Sequence, residues 1–343
     1  MRRLLGCRSL LIVLFLGLAL LPIGANPYWL FVGNLILIYI VLALGLNLLI
    51  GFAGHLAFAN AAMFGIGAYA VGLLQVRLGF PYWLALPSGG LIAMLLGTTM
   101  AFPALRLSGI YLAMATLGFA QFTQWVFLNW ETVTYGAGGF RVPPVDFSRL
   151  ALPSKLGIYY LSWVIAVGLV AFAWNAMRSR IGRAFVAMRD GEIAAEALGV
   201  NLLRYKALAF ALSGVYAGIA GGLFTGLLNY VAPETFDLFQ MIIHKAMVIV
   251  GGIGSITGSV IGATLLVLLL EALRAFKSTQ EIAFGTILLV FVVFCPGGLV
   301  SICRRYLPHW EEPLHVAQAA ETSAEAAPIS ARDTPSSPAG AER

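Results

Sequence analysis

The sequence predicts an all-α, polytopic membrane helical bundle of about ten transmembrane segments, some of them short or broken. Three observations carry this prediction. Of 343 residues, 60% are hydrophobic and 10% charged, against roughly 25% charged in soluble domains. The mean hydropathy is +0.90. The charges also cluster, leaving apolar stretches near the ~20 residues a helix needs to cross the hydrocarbon. A formal net charge of +6 does not mark a nucleic-acid partner, because the basic residues flank apolar spans instead of forming a polar basic face.

The first segment, 10–23, follows Arg2, Arg3 and Arg8, which places the N-terminus in the cytoplasm under the positive-inside rule. Leu4-Leu5-Gly6-Cys7 resembles a lipoprotein cleavage box, yet too few apolar residues precede Cys7 to build a signal peptide. Segments 30–50, 56–76, 83–102 and 110–128 come next. The loop 129–157 then carries Arg141, Arg149 and Lys155 on the side this count makes external. Its acidic residues contribute little to orientation, and flipping it would misplace stronger basic clusters. Segment 158–177 leads into the densest basic loop, 178–206, with Arg180, Arg183, Arg189 and Arg204. Segments 207–228, 241–252, 259–273 and 282–300 complete the set, the 241–252 and 259–273 pair being too short to cross as straight helices. Arg304 and Arg305 return the chain to the N-terminal side. The expected organisation is a transmembrane domain over 1–305, with a cytoplasmic loop at 178–206, and a tail over 306–343. That tail is rich in Ala, Glu, Ser, Thr and Pro, too polar to offset its ordering entropy, and reads as disordered. Both termini are expected on the cytoplasmic side of a multi-pass membrane protein. The cysteines, Cys7, Cys295 and Cys303, form no CxxC pair or metal spacing.

Two glycine ladders stand out. Gly214, Gly218 and Gly222 make a smooth stripe that admits a neighbouring helix. Gly254, Gly258 and Gly262 lie across the two short segments, where Gly251-Gly252-Ile253-Gly254-Ser255 reads either as ordinary packing or as a broken helix facing a cavity. An earlier interruption, Gly51-Phe52-Ala53-Gly54-His55, has the same texture. Interrupted segments at matching places in two halves point to a transport path. Polar groups within or beside the spans are few: His55, Asn60, Gln121, Gln124, His244 and Lys245. They are candidates to line a path, or to join helices by hydrogen bonds, with Lys245 also able to snorkel. No G-x-x-x-x-G-K-[ST], G-x-S-x-G or H-E-x-x-H occurs, so nothing in the chain anchors an enzyme, a metal site or nucleotide hydrolysis.

The loop at 178–206 is the most specific feature. Within Met188-Arg189-Asp190-Gly191-Glu192-Ile193-Ala194-Ala195-Glu196-Ala197-Leu198-Gly199-Val200, residues 190–198 favour a short amphipathic helix. Asp190 is expected to cap it, Glu192 to favour its positive end and Gly199 to stop it. Such a helix outside the membrane reads as a peg for a soluble partner.

Four stretches resemble the permease subunits of ABC importers of the branched-chain amino-acid family. They are Gly45-Leu46-Asn47-Leu48-Leu49-Ile50-Gly51-Phe52-Ala53-Gly54 with Gly65-Ile66-Gly67-Ala68-Tyr69, then Gly109-Ile110-Tyr111-Leu112-Ala113-Met114-Ala115-Thr116-Leu117-Gly118-Phe119, then the loop 179–206, then Met247-Val248-Ile249-Val250-Gly251-Gly252-Ile253-Gly254-Ser255 with Gly258. They span about 40–300 in the family's order, and the long 129–157 loop and the tail lean toward the larger of its permease types. His55 and Asn60 stand where many relatives carry Gln and His, which leaves the solute open between amino acids and urea, short amides or aromatic acids. The resemblance implies a helical pore half paired with a homologous permease. It further implies two cytoplasmic ATPases that bind ATP-Mg, and a periplasmic solute-binding protein. This chain would bind no cofactor itself. Arg189, Asp190, Glu192, Ala195, Glu196, Gly199 and Val200 would form the ATPase-coupling helix.

Overall fold

The computed structural model describes residues 5–23, 26–107, 109–147, 153–274, 280–295 and 297–300. Arg2, Arg3, Arg149, Arg304, Arg305 and the tail at 306–343 lie outside the described residues. The described residues are helical almost throughout. Helix α1 (Leu5–Leu20) is followed by α2 (Pro27–Asn47), which ends in a single wide π turn, Leu48–Phe52. After α3 (Asn60–Leu78) come α4 (Tyr82–Thr99), α5 (Ala101–Arg106), α6 (Gly109–Asn129) and the short α7 (Glu131–Thr134). Strand β1 (Phe140–Arg141) precedes α8 (Ser154–Arg178), α9 (Arg180–Asp190), α10 (Glu192–Ala197) and α11 (Leu202–Leu228). Strand β2 (Tyr230–Val231) leads to α12 (Leu238–Gly251), α13 (Ile256–Leu273) and α14 (Gln280–Phe294). The strands form one antiparallel pair, Phe140 opposite Val231, which ties the loop after α6 to the end of α11.

Seven helical stretches among the described residues are long and apolar enough to cross a membrane: Pro27–Phe52, Asn60–Leu78, Tyr82–Arg106, Ser154–Arg178, Leu202–Leu228, Ile256–Leu273 and Gln280–Val300. Leu11–Leu20 and Leu238–Gly251 are shorter apolar helices. The segment expected at 110–128 is the 21-residue α6, in which Thr, Gln and Gly interleave with aromatic residues. One expectation is corrected. The segment read as 259–273, too short to cross, begins at Ile256 and runs 18 residues. Ser255 starts it early, its hydroxyl accepting the Gly258 N–H at 3.0 Å, an N-cap hidden within the glycine run. Helix α12 is short, with 14 residues, or about 21 Å of rise against a hydrocarbon core of roughly 30 Å.

Burial sorts the helices. In α2, 89% of the apolar stretch is buried, against 12% in α14. A helix apolar on every side belongs in the middle of a bundle, and α2 packs there against α8, α11, α12 and α13. The Gly214, Gly218 and Gly222 stripe brings α11 onto α4: a Cβ at Gly214 would lie 2.6 Å from the Ala93 carbonyl oxygen, and one at Gly222 2.6 Å from Leu86. On its other side α11 meets α3, where a Cβ at Gly221 would lie 2.1 Å from the Phe64 carbonyl. Small residues thus let three backbones approach closely, as membrane packing favours.

Candidate functional site

The region with the most polar structure lies where α2 ends, α9 and α10 emerge, and α12 breaks into α13. Ser179 starts α9, its hydroxyl accepting the Ile181 N–H at 3.1 Å. The expected helix of the loop is α10, Glu192–Ala197, and it stops at Gly199, whose φ of +86° suits glycine. Its expected cap is corrected. Asp190 is the last residue of α9, and Gly191 occupies the N-cap position of α10 without a side-chain bond. The Asp190 carboxylate instead accepts from Arg189 Nε at 3.1 Å, and an ion pair with its neighbour competes with capping. Helix α10 projects from the bundle. Ala195 is buried, whereas Ile193 is 87% and Leu198 84% exposed. Glu196 is exposed on the same helix, and Val200 donates its N–H to the Ala195 carbonyl at 3.0 Å to close the turn.

Two anchors hold this helix pair to the bundle. The first is Lys206, in the opening turns of α11 and only 2% exposed. Its ammonium donates to Glu192 Oε2 at 2.8 Å and to the Ala104 carbonyl at 2.9 Å, so one buried cation joins α10, α11 and the end of α5. Buried charge is tolerated because it is both paired and hydrogen-bonded. His55 completes this node, its Nδ1 4.0 Å from Glu192 Oε1 and its ring stacked on Phe210 at 6.1 Å. Burial, reinforced by the Lys206 charge and opposed by Glu192, lowers the His55 pKa to about 4, so the imidazole is neutral throughout the physiological range.

The second anchor is Arg189. Its guanidinium donates to the Gly51 carbonyl at 3.2 Å, one of the carbonyls left over where α2 ends, and a cation there also complements the helix dipole. Gly51 in turn touches the other interruption. A Cβ on Gly51 would fall 2.4 Å from Gly254 N, so the two glycine-rich breaks at 51–55 and 251–255 pack backbone to backbone. Asn47 binds them together. Its amide accepts the Gly254 N–H at 2.9 Å and donates to the Ser255 carbonyl at 2.8 Å and to Ser259 Oγ at 2.6 Å. Gly252 and Gly254 have φ of +126° and +75°, conformations that L side chains rarely adopt. Gly258 packs its carbonyl against Gly251. The break in the second ladder therefore turns its backbone toward Asn47, Gly51 and Arg189.

The remaining predicted residues lie elsewhere. Asn60 opens α3, 4% exposed, and neither amide atom has a partner. His244, 1% exposed, lies against the rings of Tyr39 and Phe64, at 5.8 and 5.6 Å, with both ring nitrogens unpartnered. Gln121 is exposed and Gln124 partly exposed on α6. Lys245 places its ammonium over the Phe58 ring. Sequence reasoning missed Lys206 and Asn47. Their signals were an ammonium at the start of an apolar span and an amide at the end of a long, mostly apolar helix.

This geometry has matching sequence relatives. A family model described as "Branched-chain amino acid transport system / permease component" matches residues 28–295. The high-affinity branched-chain amino acid transport system permease protein LivM of Escherichia coli K12 is 34% identical over 300 residues, covering 80% of this chain and 71% of that protein. The Salmonella typhimurium protein of the same name is 33% identical over the same length. The autoinducer 2 import system permease protein LsrC of Escherichia coli is 26% identical over 272 residues, 75% of each chain. No solved structure matches. A family match across nearly all the membrane helices, including both breaks and the peg, means that the chain belongs to the branched-chain amino acid transport system permease family.

Proposed function

We propose that this chain is the transmembrane permease subunit of an ATP-binding-cassette importer. It forms half of the translocation path for branched-chain amino acids or a related small polar solute. A second homologous permease supplies the other half, two cytoplasmic ATPases bind and hydrolyse ATP-Mg, and a periplasmic binding protein delivers the solute. Both termini and α10 face the cytoplasm of the bacterial inner membrane. The carrying observation is the peg itself: α10 exposes Ile193 and Leu198 while Glu192 and neighbouring Arg189 fasten its base to the membrane helices. An apolar pair that exposed on a short polar-flanked helix calls for a partner surface, and rigid fastening would carry that partner's motion inward. Arg189 reaches the joined breaks, so displacement of α9 and α10 acts directly on Gly51 and, through Asn47, on Gly254.

The test is site-directed cross-linking in native membranes, with single cysteines at Ile193 and Leu198 and a short bifunctional thiol reagent. The expected adduct joins this chain to an ATPase subunit and is lost when the cysteine is moved to the exposed Leu289 of α14. No adduct at either peg position, in membranes where solute uptake is intact, would overturn the assignment. The same reading with urea, a short amide or an aromatic acid as solute is supported by His55 and Asn60 at their departing positions. Uptake assays on the purified assembly separate these solutes.

A further inference from the structure

A partly enclosed cleft lies at the opposite end of the bundle from α10, where α2 and α8 begin and α11 ends. It offers about 160 Å³, below the roughly 300–1,000 Å³ of drug-sized sites, so it suits one small group. Its polar lining is Asn34, Asn229, Ser154 and Lys155, and its apolar wall includes Phe31 and Ile158. Asn34 is 1% exposed, and its carbonyl oxygen has no hydrogen-bond partner; the Asn229 carbonyl oxygen is likewise buried and unpartnered. Leaving such acceptors unmet is costly, and both residues line the same cleft. The β1–β2 pairing holds Asn229 there, the Val142 N–H bonding the Asn229 backbone carbonyl at 3.0 Å. On the other side α8, a 25-residue helix, starts without a side-chain cap, so its positive end and the exposed Lys155 line the cleft with positive charge suited to an anion. Tyr28 and Trp29, about half exposed at the start of α2, are the residues that favour the headgroup level of a bilayer.

We propose that this cleft binds a zwitterion, its primary ammonium at the Asn34 and Asn229 side-chain carbonyls and its anionic group at Lys155 and the start of α8. An aminophospholipid headgroup and a free α-amino acid share this chemistry. The apolar wall and the interfacial position suit the lipid. The site is independent of the transport assignment, because neither Asn34 nor Lys155 belongs to the peg or the breaks. The test uses the full chain purified in detergent with its co-purifying subunits and examined by native mass spectrometry. Phosphatidylethanolamine is compared with phosphatidylcholine of identical acyl chains, whose quaternary ammonium has no N–H to donate. At least fivefold greater retention of phosphatidylethanolamine is expected, falling to parity in Asn34→Leu, whereas the exposed Lys155→Gln, which keeps the fold, lowers retention of both lipids alike. A thermal shift with L-alanine that displaces the lipid and is lost in Lys155→Gln would assign the same site to a free amino acid. Equal retention of both lipids with no L-alanine shift, or retention of both lipids unchanged in Lys155→Gln, overturns the proposal.

Discussion

The partnership of Lys206 and Glu192 is unequal, and the inequality can be measured. Lys206 is buried, whereas the Glu192 side chain is 37% exposed, so only the carboxylate can recover water when its partner is removed. Glu192→Ala strands a buried ammonium on the Ala104 carbonyl and removes an acidic residue from the first turn of α10, a combined cost of about 2–3 kcal/mol once partial hydration is allowed for. Lys206→Met leaves a hydrated carboxylate and one unmet carbonyl, at about 1 kcal/mol. Thermal unfolding of the detergent-purified chain should therefore show a lower midpoint for Glu192→Ala than for Lys206→Met. The reverse order would mean that the ammonium is not buried as described. His55 illustrates what one sequence leaves open at this scale. Its place before α3 made it a candidate for the solute path, and its neighbour in space is Glu192, 137 positions along the chain.

At the scale of elements, the glycines of α11 carry an expectation that neighbouring helices can check. A Cβ on Gly218 would lie 2.6 Å from Ala93 Cβ and 2.9 Å from the Gly89 carbonyl, whereas one on Gly168 of α8 meets nothing within 4 Å. Gly218→Ala forces α11 and α4 apart and should cost about 1–3 kcal/mol. Gly168→Ala should leave stability unchanged or raise it by up to about 1 kcal/mol through helix propensity. Equal melting temperatures for the two variants would refute the close α11–α4 packing. The ladder's i, i+4, i+8 spacing made a packing stripe legible in the sequence. Which helices it packs against was not, because a smooth face accepts any partner. The peg was legible too, from Glu192 near its start and the Gly199 stop, although its boundary with α9 was not. Asp190 is a good cap by residue type, yet its backbone continues α9 and its carboxylate pairs with Arg189.

For the whole molecule, the proposed function makes α10 a lever whose load is the joined breaks, reached through the Arg189 bond to Gly51. A change on its outer surface should then uncouple without unfolding. Glu196→Arg reverses an exposed charge and touches none of the anchors, so membrane insertion should be normal while solute uptake by the assembled transporter drops at least tenfold. Full uptake by Glu196→Arg would remove α10 from the coupling path. The sequence by itself determined that the chain is a helical membrane protein, where most of its spans run, and which family it belongs to. Those conclusions follow from composition, segment length and local motifs, which act over one helix or less. Only the tertiary structure decided that the interruptions at 51–55 and 251–255 meet, that Asn47 and Arg189 join them, and that Lys206 holds the peg. The first two join residues far apart in the chain, such as Asn47 and Ser255, and Lys206 also reaches Ala104, 102 positions away. In a bundle of nearly uniform apolar helices no local pattern specifies which polar group finds which, because the choice is made by close packing of backbones.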